Sequence, residues 1–179
     1  MNKGLVQVYT GSGKGKTTAA LGLALRAVGQ GLRVCIVQFM KPTDFETGEK
    51  IAAQRLEPAL QIKQFGNSSV WGKGRPKEGI TSDMKQAARN ALDFAINNAD
   101  QGHYDIMVLD EINVALNQDL LKLDDVLAFV KGKPENIELI LTGREAPQQL
   151  IEAADLVTEM REIKHPYQSG IKARKGIEY

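Results

Sequence analysis

Hydrophobic positions fall into short continuous apolar runs separated by stretches of helical spacing, the alternation that builds a sheet covered on both faces. Residues 5–9 form an apolar run that ends in a glycine-rich loop, and alanines and leucines recur at helical spacing over 17–28. Gly29 and Gly31 stop that helix. The unbroken run Val34, Cys35, Ile36, Val37 then predicts a strand buried on both sides, and so a parallel neighbourhood. Over 41–80 the pattern weakens into a polar stretch holding a helical piece at 49–56 and a strand at 60–65, while Phe65 and Trp71 argue against disorder. Thr81 or Ser82 caps a helix through Ala87, Ala88, Ala91, Leu92 and Ala95 that ends at Gly102. A strand over 104–111, a helix over 124–130, a buried strand over 137–141 and a helix over 146–154 follow. Residues 155–163 alternate with polar positions and predict a last strand near the sheet edge. The predicted fold is α/β, a doubly wound, mostly parallel sheet with helices on both faces.

Chemistry enters at the first turn. Gly11, Ser12, Gly13, Lys14, Gly15, Lys16, Thr17 and Thr18 lie between a strand and a helix, where glycines let backbone N–H groups turn inward around phosphate. Lys16 can reach the outer phosphates and Thr17 offers a hydroxyl to Mg²⁺. The Walker A pattern departs only at its first glycine, where Thr10 stands, and a dinucleotide fingerprint fails because Lys16 occupies its third glycine. The strand at 104–111 ends in Asp110 and Glu111, a Walker B pattern that sets carboxylates beside the phosphate loop, one of them able to hold Mg²⁺. These two motifs predict a P-loop core of the RecA-like kind that binds ATP with Mg²⁺. Arg144, in the turn 142–144, either reaches back over the nucleotide or is simply exposed. Trp71 either caps the core or serves the site. The basic end of the chain, with Lys172, Arg174 and Lys175, is a solvated tail or binds an anionic group.

Composition narrows the partners. The 179 residues, 42% hydrophobic, suit one domain over 1–179, and no repeat or low-complexity segment divides them. A net charge of +1 offers no bulk attraction to nucleic acid or to a membrane surface. Cys35 is the single cysteine and reads as a buried inert thiol. With no signal-peptide pattern and no bilayer-length apolar run, a cytoplasmic location is expected. Two separated histidines make no zinc cluster, and no Ser-His-Asp arrangement is evident.

Further stretches of the chain resemble one P-loop family nearly end to end. They are Tyr9-Thr10-Gly11-Ser12-Gly13-Lys14-Gly15-Lys16-Thr17-Thr18-Ala19-Ala20, Arg26-Ala27-Val28-Gly29 and residues 33–39 and 104–113. Leu141-Thr142-Gly143-Arg144, residues 153–160, Lys164-His165-Pro166-Tyr167, residues 170–173 and 176–179 complete the set. The chain resembles the ATP:corrinoid adenosyltransferases, which transfer the 5′-deoxyadenosyl group of ATP to a corrinoid cobalt reduced to Co(I), with triphosphate leaving intact. The resemblance implies ATP in reversed orientation along the loop, with Lys14 and Lys16 on the triphosphate and Arg26 near the nucleoside. It implies Thr17, Asp110 and Glu111 around Mg²⁺, Lys16, Glu111 and Trp71 as catalytic groups, and Phe65, Trp71 and Asn113 on the corrinoid.

The family commonly carries phenylalanine two residues before the tryptophan; here Ser69 stands there and Phe65 is the candidate ring, which bears on corrinoid handling more than on the activity. Longer relatives carry a helical N-terminal extension over a partner's site, so closure here is expected from 41–80 or from the basic tail. A homodimer and an electron-donating reductase are the implied partners. Two readings compete with the transferase: a RecA-like ATPase or phosphotransferase in which Glu111 polarises a water, and a nucleotide-gated corrinoid-binding module without chemistry.

Overall fold

The computed structural model describes residues 3–66 and 79–178; Trp71 and Ser69 lie outside them. The chain runs β1 (Val6–Thr10), α1 (Lys16–Gly29), β2 (Val34–Phe39), α2 (Gly48–Gln54), β3 (Leu60–Phe65) and α3 (Ser82–Asp100). It continues through β4 (Ile106–Asp110), α4 (Ile112–Asn117), α5 (Leu123–Gly132), β5 (Glu138–Thr142), α6 (Gln148–Ala153) and β6 (Leu156–Glu159), and a 3-10 turn follows at Pro166–Ser169. The strands form one six-stranded sheet in the order β3-β2-β4-β5-β1-β6. Every pairing is parallel.

Alternation along each strand divides the core in two. Val8, Val37, Leu109 and Leu141 point to the face covered by α3, α4, α5 and α6, whereas Ile36, Val108 and Ile140 point to the face covered by α1 and α2. Strands β2, β4 and β5 are buried at every position, as their apolar runs predict. The inner stripe of α1 is Ala20, Ala24 and Ala27, and that of α3 includes Ala88, Ala91, Ala95 and Ala99. Small side chains at helical spacing let both helices lie close on the sheet. Thr81 caps α3, its hydroxyl accepting from the Met84 N–H at 3.3 Å.

Two elements differ from the sequence reading. Helix α4 starts directly after Asp110, because Glu111 adopts left-handed backbone at φ 68° and turns the chain out of the strand. Strand β6 is at the edge as expected but stops at Glu159 instead of running to 163. The backbone beyond it is committed to the glycine loop: the Gly13 N–H donates to the Met160 carbonyl at 2.7 Å. Among the described residues no helix is long and apolar enough to cross a membrane.

Candidate active site at the ends of β1, β4 and β5

Strand order explains the assembly of the site. β5 lies between β1 and β4, so the glycine loop after β1 and the acids ending β4 are bridged by the end of β5. Thr10 closes β1, and its hydroxyl accepts the Ala146 N–H at 3.0 Å, which accounts for a threonine at the first loop position. Gly11 and Gly15 have φ of 96° and 123°, values a side chain resists. A Cβ on Gly13 would meet the Met160 carbonyl and the Arg161 backbone at 2.8 Å, so the loop is pressed against the segment following β6. Lys16 opens α1, and its ammonium donates to the Gly11 and Gly13 carbonyls at 2.7 and 2.8 Å. Burial lowers its pKa, which the Glu111 charge partly offsets. The N–H groups of the first turn of α1 lack intrahelical partners and, with the helix dipole, favour an anion.

Asp110 is 1% exposed and saturated with donors. Its Oδ1 accepts from the Thr17 and Thr142 hydroxyls, each at 2.8 Å, and its Oδ2 accepts from Gln38 Nε2 at 3.2 Å. Lys41 Nζ stands 3.9 Å from that same Oδ2 and 3.0 Å from Glu49. Burial works to raise the Glu49 carboxyl, but the Lys41 charge and hydrogen bond outweigh it and hold it below its ordinary value. The network continues outward: Gln64 Nε2 donates to Gln38 Oε1 at 3.2 Å and Lys50 Nζ to Gln64 Oε1 at 2.9 Å. Glu111 anchors its backbone N–H on the Thr142 hydroxyl at 3.0 Å. Burial and then the neighbouring Asp110 charge raise the Glu111 carboxyl, against the pull of Lys16, Lys41 and Arg144.

A cavity of about 530 Å³ opens over these groups, lined by the loop from Ser12 to Thr18, Lys41, Glu49, Glu111, Arg144, His165 and the tail at Gly176, Ile177 and Glu178. A groove of about 890 Å³ between α3 and residues 116–125 is larger but contains none of the loop residues or the β4 acids. The smaller cavity therefore holds the chemistry. The oxygens facing it, Thr17 Oγ1 and the Glu111 carboxylate, with Asp110 hydrogen-bonded to Thr17 behind them, suit a hard cation such as Mg²⁺. Among the described residues no group of three histidine, cysteine, aspartate or glutamate side chains forms a cage, so such an ion would complete its shell with phosphate oxygens and water.

The structure brings Ser12 to Thr18, Glu111 and Arg144 to one cavity, with Gly11 bonded to Lys16 and Asp110 bonded to Thr17 behind it. Arg26 lies elsewhere: ten residues along α1, about 15 Å up the helix axis from Lys16, exposed. Its charge acts on the Tyr9 phenol, whose pKa burial and Glu138 raise. Asn113 is fully buried behind the cavity, donating to the Gly143 carbonyl at 3.1 Å, and its Oδ1 has no partner among the described residues. Phe65 ends β3 with its ring 5.5 Å from that of Phe94, beside a small apolar recess with Met40, Met84 and Leu120. Sequence reasoning singled out the tail as a candidate anion-binding segment or lid and 41–80 as another lid, but gave no individual role to Gln38, Lys41, Glu49, Thr142 or His165. Lys41 carried a usable signal, since it stands two residues past the end of a buried parallel strand, the end at which such sheets bind ligands.

Comparison with known proteins places this chain in a family. A solved structure of the flagellar accessory protein FlaH from Methanocaldococcus jannaschii superposes with a TM-score of 0.56 over 89% of this chain and 72% of that one. At 15% identity this likeness speaks for the fold alone. A corrinoid adenosyltransferase of Pseudomonas aeruginosa is 37% identical over 99% of this chain and 84% of its own length. Another from Sinorhizobium sp. is 38% identical over 99% and 81%, and one from Escherichia coli 34% identical over 99% and 86%. The family model described as ATP:corrinoid adenosyltransferase BtuR/CobO/CobP matches residues 2–179. The doubly wound P-loop chain thus belongs to the ATP:corrinoid adenosyltransferase family, enzymes that use ATP to alkylate a corrinoid.

Proposed function

We propose that the cavity holds ATP so that its triphosphate is a leaving group rather than a donor of its terminal phosphate. The observation that carries this reading is the convergence of Lys14, Lys16, Thr17, Glu111 and Arg144 on one cavity wall, with Asp110 directly behind. The electron pair of reduced cobalt in the corrinoid substrate forms the cobalt–carbon bond as the C5′–oxygen bond of ATP breaks, and that bond's pair departs with the triphosphate. Charge grows across the whole triphosphate, where the inward N–H groups of the loop, Lys14 and Lys16 meet it. Thr17, Asp110 and Glu111 are the residues that would hold Mg²⁺, whose positive charge would add to that stabilisation. For Lys16 this requires the ammonium to leave the Gly11 and Gly13 carbonyls, for which phosphate oxygens are stronger acceptors. Arg26 is assigned to the nucleoside side and Phe65, with Trp71, to the corrinoid, as the family resemblance implies. Asn113 acts from behind the wall, fixing the Gly143 turn that presents Arg144.

Incubation with ATP, Mg²⁺ and chemically reduced cobalamin should give adenosylcobalamin and intact triphosphate. ADP and phosphate as the only nucleotide products would overturn the reading. A cytoplasmic location is proposed with this reading, since the reaction needs ATP and a strong reductant together. A separate reductase is the proposed electron donor; the chain's single cysteine, Cys35, is buried. Residues 1–179 act as one domain, supported by a sheet that includes every strand from β1 to β6.

A further inference from the structure

Lys14 and Lys16 stand two residues apart in the same cradle, yet their ammonium groups rest on different acceptors. Lys16 folds onto carbonyls of its own loop. Lys14 instead reaches 164 residues along the chain, donating to Glu178 Oε1 at 3.0 Å and to the Ile177 carbonyl at 3.2 Å. Both tail residues line the phosphate cavity. A carboxylate and a carbonyl oxygen gathered on one ammonium offer it what two phosphate oxygens would offer.

We propose that Glu178 is a positioning residue for the nucleotide reaction: it holds Lys14 over the empty cradle, releases it to the incoming triphosphate, and takes it back as the product triphosphate departs. This rests on the reading of the cavity as the triphosphate site. The exchange leaves no group stranded, because Arg174 also holds Glu178, through Nη2 at 3.0 Å and its backbone N–H at 2.7 Å. Those contacts, led by the Arg174 side chain, hold the Glu178 carboxyl down at about 2, so it is ionised throughout the working range and the exchange answers to polyphosphate rather than to pH. The Lys14 and Glu178 side chains are 45% and 21% exposed, which keeps their attraction weak enough to be replaced by a highly charged ligand.

The test is direct binding of inorganic triphosphate and of MgATP, without corrinoid, to the full chain and to Glu178→Gln, Lys14→Ala and the double variant. Freed of its competitor, Glu178→Gln should bind inorganic triphosphate about two- to fivefold more tightly, the scale of one exposed ion pair. Triphosphate should inhibit its turnover correspondingly more strongly. In the Lys14→Ala background the Glu178 substitution should change nothing, and raising the salt should close the gap between the wild-type chain and Glu178→Gln. Unchanged or weaker binding by Glu178→Gln, or a gain that persists without Lys14, would overturn the proposal. Because the binding readout involves no corrinoid, it is independent of whether ATP is cleaved at carbon or at phosphorus.

Discussion

Glu111 carries two strains at once, a left-handed backbone and a half-buried carboxylate beside Asp110. A non-glycine residue at φ 68° costs on the order of 1 kcal/mol, and such outliers gather at functional sites. Its folded pKa lies above the ordinary 4.5, so the folded chain binds more protons than the unfolded one between the two values. Stability is then fully present below the unfolded pKa and falls as pH rises through the folded pKa. Glu111→Gln removes that slope: thermal melts should show the variant matching the wild-type chain near pH 4 and melting higher at pH 7, while adenosyl transfer falls roughly a hundredfold. A variant that melts lower at pH 7 would contradict the burial argument. The loop residues and the two acids were legible in the sequence because each motif is local, its spacing set by one strand and the turn after it. Gln38, Lys41 and Thr142 belong to neither Walker motif and join the site through the order of the strands in or after which they stand.

At the scale of elements, the β1–loop–α1 unit is held from outside as much as by its own glycines. The Thr10 hydroxyl fixes the turn after β5 through Ala146, and residues 160 and 161 press on Gly11 and Gly13. Restoring the pattern glycine should therefore harm this loop. Thr10→Gly leaves the Ala146 N–H without its acceptor and adds backbone freedom to the unfolded chain, for a loss of about 1–3 kcal/mol in urea unfolding, which Thr10→Ser should largely recover. Equal or greater stability in Thr10→Gly would show that the hydroxyl contributes nothing. Helix α4 escaped the sequence reading because its apolar residues directly continue the run of β4, and only the turn at Glu111 separates them. Strand β6 was read too long because alternation continued past Glu159, although the hydrogen bonds there go to the glycine loop.

For the whole molecule, the outer edge is unfinished. Every residue of β6 is exposed, Leu156 and Val157 at 42% and 39%, and Ile163 and Tyr167 beyond it stand at 86% and 74%. Apolar side chains on a strand whose outer edge has no neighbouring strand among the described residues call for a cover. The homodimer that the family resemblance implies would supply it: sedimentation equilibrium at micromolar concentration should give twice the 19.6 kDa chain mass, and Val157→Lys should shift it towards one. A monomeric mass for the unaltered chain would remove the proposal. The sequence by itself determined the parallel sheet, the helices over both faces and the phosphate cradle, because buried strands are continuous apolar runs and the cradle is a local turn. Tertiary structure alone decided that β5 stands between the cradle and the acids, that Thr142 ties Asp110 to Glu111, and that a penultimate glutamate meets Lys14. Those relations join residues distant in the chain through strand order and packing, which no local pattern of residue types encodes.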